Sequence, residues 1–398
     1  MGKLIITRFE DKLFSLYTGA DGKPLELSVE NPQENGRLGN IYVGFVQQIV
    51  KNIDAAFIEI AEKEVCYCSL KETTDYLFGP HGGSEKLCMG DYVLVQLEKE
   101  AIKTKQASVT GKLQLTGKNL VLLHGVLGIR ISNKITDKKE IARLKAILKP
   151  YTSEKYGFIV RTNAQNASEE VLLAEASRLT EQYNEICTTG IHKAKGTLLY
   201  QNPPGYVDFL RDLPEQELDE VVTDDSVVYE TLCSYCRDFQ PEDLRKLRLY
   251  QDPGLSLSAL YSFQKVVREA TGRVVLLNSG ASLVIEPTEA LTVIDVNTGK
   301  AVSKKQAGDE VFYKINLEAA RACMAQLRLR NLSGMILIDF INMKAQEYND
   351  RLLNDLRELA KKDRIPVNVV DMTGLGLVEL TRKKVKRPLH ECLISAKI

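Results

Sequence analysis

Asp295 and Asp339 each close a short apolar run, and the residues between the two runs place their apolar positions at helical spacing. The first run is Leu291–Asn297 and the second Gly334–Asn342, both rich in β-branched residues and bounded by turn formers. Between them Leu317, Ala320, Met324 and Leu327 recur along one helix face, so the segment reads as strand, helix, strand. Such crossovers join parallel strands, almost always right-handedly, which sends both aspartates to the same sheet edge, where open α/β folds bind ligands. Two carboxylates converging there repel one another. The usual remedy is a hard cation, and Mg²⁺ takes one or two carboxylates while keeping several waters and a substrate phosphate. The expected chemistry is phosphoryl transfer with an activated water, and Mn²⁺, which accepts the same oxygen donors, is the alternative ion. An aspartate at a strand end also serves as an Asx-turn or helix cap, so pattern alone leaves that purely structural role open.

Three other groups of residues carry chemical interest. The strand Tyr156–Val160 delivers Arg161 and Thr162 into a loop, where an Arg beside a hydroxyl can grip a phosphate or simply be solvated. Ser168 then caps a helix over Glu169–Cys187, with Glu169 and Glu170 in its first turn. From Ile41 to about Thr110 the chain alternates short strands and polar loops, a pattern that suits a small five-stranded barrel. In such barrels exposed aromatics stack the bases of single strands, and Phe57, Tyr67, Lys103 and Lys105 supply the parts, although strand aromatics also serve as core. The single CxxC, Cys233 to Cys236, lies in an expected helix with no second pair at zinc-ribbon spacing, so packing is the plainer role. Cys66 and Cys68 alternate along a strand and suit packing as well.

Downstream, Ile365–Asp371 reads as a further strand that offers Asp371 as a third carboxylate. A glycine turn at Gly374 and Gly376 follows, then an expected helix running into the basic stretch Arg382–Arg387, which is suited to phosphates.

The elements that position these residues must come from more than one domain, since 398 residues exceed one ordinary core. With 53 basic and 53 acidic side chains there is no overall field to steer a nucleic acid, so such a role needs local segregation of charge. No signal-peptide core and no uncharged run long enough to span a bilayer stand in the sequence, so a cytoplasmic protein without a membrane span is expected. Eight cysteines in a chain this long suggest reduced thiols rather than a disulfide scaffold.

Taken in order, these stretches resemble the catalytic region of the ribonuclease E/G family of metal-dependent endoribonucleases. Gly39-Asn-Ile-Tyr-Val-Gly44 with Ala55-Ala-Phe57 is similar to that family's RNA-binding barrel, and Ile159-Val-Arg-Thr162 to its 5′-sensor strand. Glu289–Asn297, Asn316-Leu-Glu-Ala-Ala320, Gln326–Arg330 and Gly334–Ile341 are similar to its metal site. The resemblance implies an α+β and α/β multidomain fold. In that division residues 1–36 and 209–272 form an RNase H-like subdomain, 37–118 an inserted OB-fold barrel, 119–208 a 5′-sensor region, and 273–398 a DNase I-like catalytic subdomain. It implies that Asp295 and Asp339 bind catalytic Mg²⁺ and that Asn297 orients the attacking water or the scissile phosphate. It further implies that Arg161 and Thr162 hold a 5′-monophosphate, and that Phe57, Tyr67 and Lys105 grip single-stranded RNA. The products would carry 5′-phosphate and 3′-hydroxyl ends, in RNA processing and decay.

The sequence departs from the family pattern in three places. One Cys and one His, Cys392 and His390, follow the basic stretch where the family has a CPxC zinc element, so no zinc is expected and the family's homo-oligomer loses one of its links. Asn342 stands where a second aspartate is common, and Gly374 where a basic residue is common. These departures support an alternative reading, a non-catalytic RNA-binding or ribosome-associated protein on the same scaffold.

Overall fold

The computed structural model of the chain describes residues 2–30, 37–71, 75–80, 86–101, 106–299 and 308–394. It divides into two compact units, one drawn from Met1–Pro32, Gln216–Thr231 and Lys246–Ile398, the other from Gln33–Glu215 and Leu232–Arg245. The fold is mixed α and β, and the alternation of strand and helix expected around Asp295 and Asp339 is present.

The first unit holds two sheets. The first hairpin, Gly2–Phe9 with Lys12–Thr18, closes on Glu10 and Asp11, both at positive φ (48° and 60°), as a two-residue turn requires if its twist is to match the strands. Pro24–Glu30 extends this sheet on one side, and on the other Gly2–Phe9 pairs in parallel with Leu218–Thr223, followed by Leu247–Leu249. The N-terminal strands thus find their parallel partner about 200 residues later, and the second unit is made largely from the chain between.

The second sheet runs in the order Val274–Leu276, Ser282–Pro287, Leu291–Asn297, Gly334–Asp339, Leu377–Arg382, Val367–Met372. Leu291–Asn297 and Gly334–Asp339 are parallel neighbours joined by the helix Asp309–Leu329. That helix and a second, Gln346–Lys361, cover one sheet face: Ile294, Ile336, Ile338 and Leu380 meet Ala320, Cys323, Leu327, Leu352 and Leu356 in a core without exposed atoms to speak of. Each such aliphatic side chain contributes roughly 1.5–3 kcal/mol by leaving water. The helix Gln346–Lys361 carries its apolar residues Leu352, Leu353, Leu356 and Ala360 on one stripe.

One expectation fails here. The residues leading into Arg382 form a strand rather than a helix, because Val378, Leu380 and Arg382 alternate inward while Glu379 and Thr381 do not, a period of two. Arg382 itself is buried and donates to Asp363 (2.9 Å), Asn331 Oδ1 (3.0 Å) and the Leu332 carbonyl (3.0 Å). It is a structural ion-pair partner and offers nothing to a phosphate.

The second unit contains a closed five-stranded barrel, Ile41–Val50, Ala55–Ala61, Glu64–Ser69, Ser108–Thr110 and Tyr92–Lys99, with the last strand pairing back to the first. The barrel is of the kind expected for an OB-fold, and Leu198–Tyr200 adds to the outside of its first strand. Gly44 is required for closure, since a Cβ there would lie 2.5 Å from Ile58 Cγ2. Cys66 and Cys68 point into the barrel core. Beside the barrel a four-stranded sheet, Ile129–Ile131, Tyr156–Val160, Leu120–His124 and Gln114–Thr116, packs against the helices Lys138–Leu148 and Glu169–Gly190. Ser168 caps the longer helix as expected, accepting from the Val171 amide. Among the described residues no helix is long and apolar enough to cross a membrane.

Candidate active site and nucleic-acid interface

Along Leu291–Asn297 the residues Thr292, Ile294 and Val296 face the helices, which leaves Val293, Asp295 and Asn297 on the opposite sheet face. The same alternation in Gly334–Asp339 buries Ile336 and Ile338 and turns Asp339 outward. The parallel register pairs Asp295 directly with Asp339. Adjacent strands are about 4.8 Å apart, so the two carboxylates emerge side by side on one face, at the carboxyl edge of the strands. The Asn297 amide Nδ2 donates to Asp295 Oδ2 at 2.7 Å, which fixes that carboxylate and leaves the amide oxygen of Asn297 as a further acceptor. The donor set is therefore two carboxylates and one amide, all hard oxygens of the kind Mg²⁺ accepts.

The loop after Asp339 is held by Asn316, a residue without solvent exposure on the crossover helix. Its Nδ2 donates to the Ile341 carbonyl (2.8 Å) while its Oδ1 accepts from the Ile341 amide (3.0 Å), a two-point clamp two residues beyond the carboxylate. Past the clamp Asn342 is exposed and lines a cavity of about 310 Å³ with Phe340, Asn349, Thr373 and Gly374. Asp371 is not brought to the pair: it sits beyond the intervening strand Leu377–Arg382 and accepts from the Met372 amide (2.9 Å).

On the barrel Phe57 and Tyr67 are register partners on neighbouring strands, half-exposed and edge to face with ring centroids 6.4 Å apart. A second outward pair, Phe45 and Tyr92, was not singled out from the sequence, because a strand aromatic carries no local sign of which way it faces. Their centroids are 5.7 Å apart, and Lys195 Nζ lies 4.8 Å from the Phe45 ring centre. Lys103 and Lys105 lie outside the described residues.

Arg161 and Thr162 follow directly on the strand Tyr156–Val160. The Arg161 guanidinium is oriented by Gly117, whose carbonyl accepts from NH1 at 2.8 Å, and by Asp212, whose Oδ1 accepts from NH2 at 2.6 Å. The Thr162 hydroxyl lies 3.1 Å from that of Ser132. Behind them the buried Glu175 carboxylate accepts from the Asn119 and Leu120 amides, and burial raises its pKa against those hydrogen bonds. Gly117 must be glycine, since a Cβ would fall 2.0 Å from Glu175 Oε1. Cys233 and Cys236 are buried in the helix Ser226–Phe239, and burial pushes the Cys236 thiol up to about 12, which keeps it protonated and poorly reactive.

The Ribonuclease E/G family description matches residues 114–385. Ribonuclease G of Escherichia coli (strain K12) is 31% identical over 380 residues, spanning 92% of this chain and 77% of that protein. Ribonuclease G of Haemophilus influenzae is 32% identical over 378 residues with the same coverage. Ribonuclease E of Synechocystis sp. is 31% identical over 360 residues, spanning 89% of this chain and 53% of that protein. The match runs through both units and includes the strands that carry Asp295 and Asp339, so the chain belongs to the ribonuclease E/G family.

Proposed function

We propose that the protein is a metal-dependent endoribonuclease that cuts single-stranded RNA in cytoplasmic RNA processing and decay, leaving 5′-phosphate and 3′-hydroxyl ends. The observation that carries this reading is the register pairing of Asp295 with Asp339, with Asn297 bonded to the first. Kinship with ribonucleases G and E supports RNA as the substrate. In the same reading the two sheets of the first unit are RNase H-like and DNase I-like subdomains.

Asp295 and Asp339 would hold Mg²⁺, which when bound supplies charge neutralisation and water activation. Asn297 holds the Asp295 carboxylate through Nδ2, and its own oxygen would accept a hydrogen bond from the attacking water and so orient it. Attack on phosphorus runs in line, and the bond to the 3′-oxygen breaks as the new bond to water forms. Asn316 holds the segment after Asp339 so that the second carboxylate keeps its position. The aromatic pairs on the barrel stack bases of the unpaired strand, and Arg161 with Thr162 takes the phosphate at its 5′ end.

The test is incubation of a 5′-monophosphorylated, A/U-rich single-stranded RNA with the purified chain in Mg²⁺ or EDTA, followed by mapping of the product ends. Internal cuts that need the cation and leave 5′-phosphates support the proposal. Tight binding without cuts in Mg²⁺ or Mn²⁺ favours the non-catalytic RNA-binding alternative, whose support is Asn342 and Gly374 beside the cavity.

A further inference from the structure

Resting on the reading of Asp295 and Asp339 as the cleavage site, we infer that the cavity just beyond Asp339 is a subsite for one adenine base of the RNA, read by the side-chain amides of Asn342 and Asn349. Asp339 is the register partner of Leu377. The loop Phe340–Met343 and the turn Thr373–Gly376 therefore begin one residue past the carboxylate, each on its own strand. These two segments, with Met372 and Asn349, line the cavity of about 310 Å³. A phosphate held at the carboxylate pair thus has a neighbouring nucleotide at the cavity mouth. The walls are held from several sides. Asn316 occupies both the amide and the carbonyl of Ile341, and Phe340 and Met343 are buried in the core. On the other wall Thr373 Oγ1 accepts from the Leu375 (3.2 Å) and Leu377 (3.1 Å) amides. Loop and turn stand close, since a Cβ at Gly376, whose φ is +84°, would lie 3.2 Å from Asn342 Oδ1.

The lining decides what chemistry fits. None of these residues carries a charge, which argues against a phosphate as the occupant. The side-chain amides of Asn342 and Asn349 make no hydrogen bond among the described residues, and Leu375 at the tip of the turn is 86% exposed. Two unpaired amides and an open aliphatic side chain around one cavity suit a flat, neutral group that both donates and accepts hydrogen bonds. A nucleobase is that group. A base splayed from a single strand offers its Watson–Crick and its Hoogsteen edge. The amino group of adenine stands between the acceptors N1 and N7, so each edge presents a donor beside an acceptor, the complement of an amide. Guanine presents two acceptors on its Hoogsteen edge, and a pyrimidine has a donor beside an acceptor on one edge only. Adenine alone can satisfy both amides in the same way.

The test is equilibrium binding of the full chain, by fluorescence anisotropy in EDTA so that no cutting intervenes, to three short RNAs of equal length. They are oligoadenylate, the same chain with purine riboside in place of adenosine, and oligouridylate. Purine riboside lacks only the amino group and stacks much as adenine does, so the ratio of the first two reads hydrogen bonding and not stacking on the barrel. The parent should bind oligoadenylate about tenfold more tightly than the purine riboside chain, the discrimination of one bidentate amide contact. Asn342→Ala and Asn349→Ala should each shrink that ratio to about threefold or less and the double variant should abolish it. Affinity for oligouridylate and the melting temperature should stay parental, and Asn342→Gln, which keeps the amide, should retain more of the ratio than Asn342→Ala. A double variant with the parental ratio overturns the inference. So does one that weakens all three RNAs equally, since the two residues would then shape the surface without reading a base. A parent that binds RNA without regard to the amino group removes the subsite and leaves the cleavage reading standing, whereas a parent that binds none of the three removes both.

Discussion

Asn297 and Asp295 lie two residues apart on one strand face, and the amide nitrogen of the first donates to the carboxylate of the second at 2.7 Å. The bond spans the positions that alternation places on the same side, and it turns a flexible carboxylate into a fixed donor beside Asp339. Replacing Asn297 with Ala should lower kcat by about ten- to a hundred-fold, the worth of one hydrogen bond to a charged group. KM for RNA should barely change under the proposal that the barrel, and not this face, grips the strand. Single-turnover rates with saturating RNA check this, and an unchanged rate removes Asn297 from the site.

Asn316 makes two hydrogen bonds to the Ile341 backbone from a position without solvent exposure. Asn316→Leu should leave the half-buried amide and carbonyl of Ile341 without these partners, at about 1–3 kcal/mol in all. A fall in urea midpoint together with a fall in activity is expected, and Asn316→Asp, which keeps the acceptor, should lose less. Parental stability in Asn316→Leu would mean that the loop after Asp339 finds other partners.

Glu26 accepts from Arg328 at 2.8 Å and also pairs with Arg364. Burial alone would raise its pKa, but the two guanidinium groups outweigh burial and hold it below the usual 4.5. A depressed folded-state pKa means that the contribution to stability is present above 4.5 and is lost as pH falls through the folded value. Glu26→Gln should therefore be less stable than the parent at pH 7, by about 2 kcal/mol after allowance for partial exposure. The difference should close under acid. Melting curves of both proteins across the acid range decide it, and a gap that is constant with pH counts against the assignment.

Phe57→Ala and Tyr67→Ala should each weaken single-stranded RNA binding by about 1–3 kcal/mol, the usual worth of a stacked base. Phe45→Ala should do the same if the second aromatic pair continues the path. Affinities for oligomers of increasing length, measured in EDTA, test the idea, and equal affinities for parent and all three variants would return these rings to a packing role.

The pair at the heart of the site was legible because it is a local matter. Short β-branched runs, one amphipathic helix between them and an aspartate at each end determine a parallel pair almost by themselves. The Ser168 cap was equally local. The one-to-one register of Asp295 with Asp339 was not, because a shift of two residues would keep the same faces buried and give Asp295 a different partner. Arg382 was misjudged because its charge suggested a surface, while its ion pair with Asp363 and its bonds near Leu332 let it be buried. Asp212 gave no sign at all, since its partner Arg161 lies 51 positions earlier and only the fold brings them together. Likewise, nothing around Asn316 announced that its amide would clamp a backbone 25 positions away.

The most direct test of the account is cleavage of one 5′-monophosphorylated RNA by the parent, Asp295→Asn, Asp339→Asn and the double variant, with RNA affinity and melting temperature measured in parallel. If the two carboxylates act as one unit, each single change should cost about a thousandfold or more in rate and the double change little further, with binding and folding preserved. Cleavage at the parental rate by either single variant would contradict it.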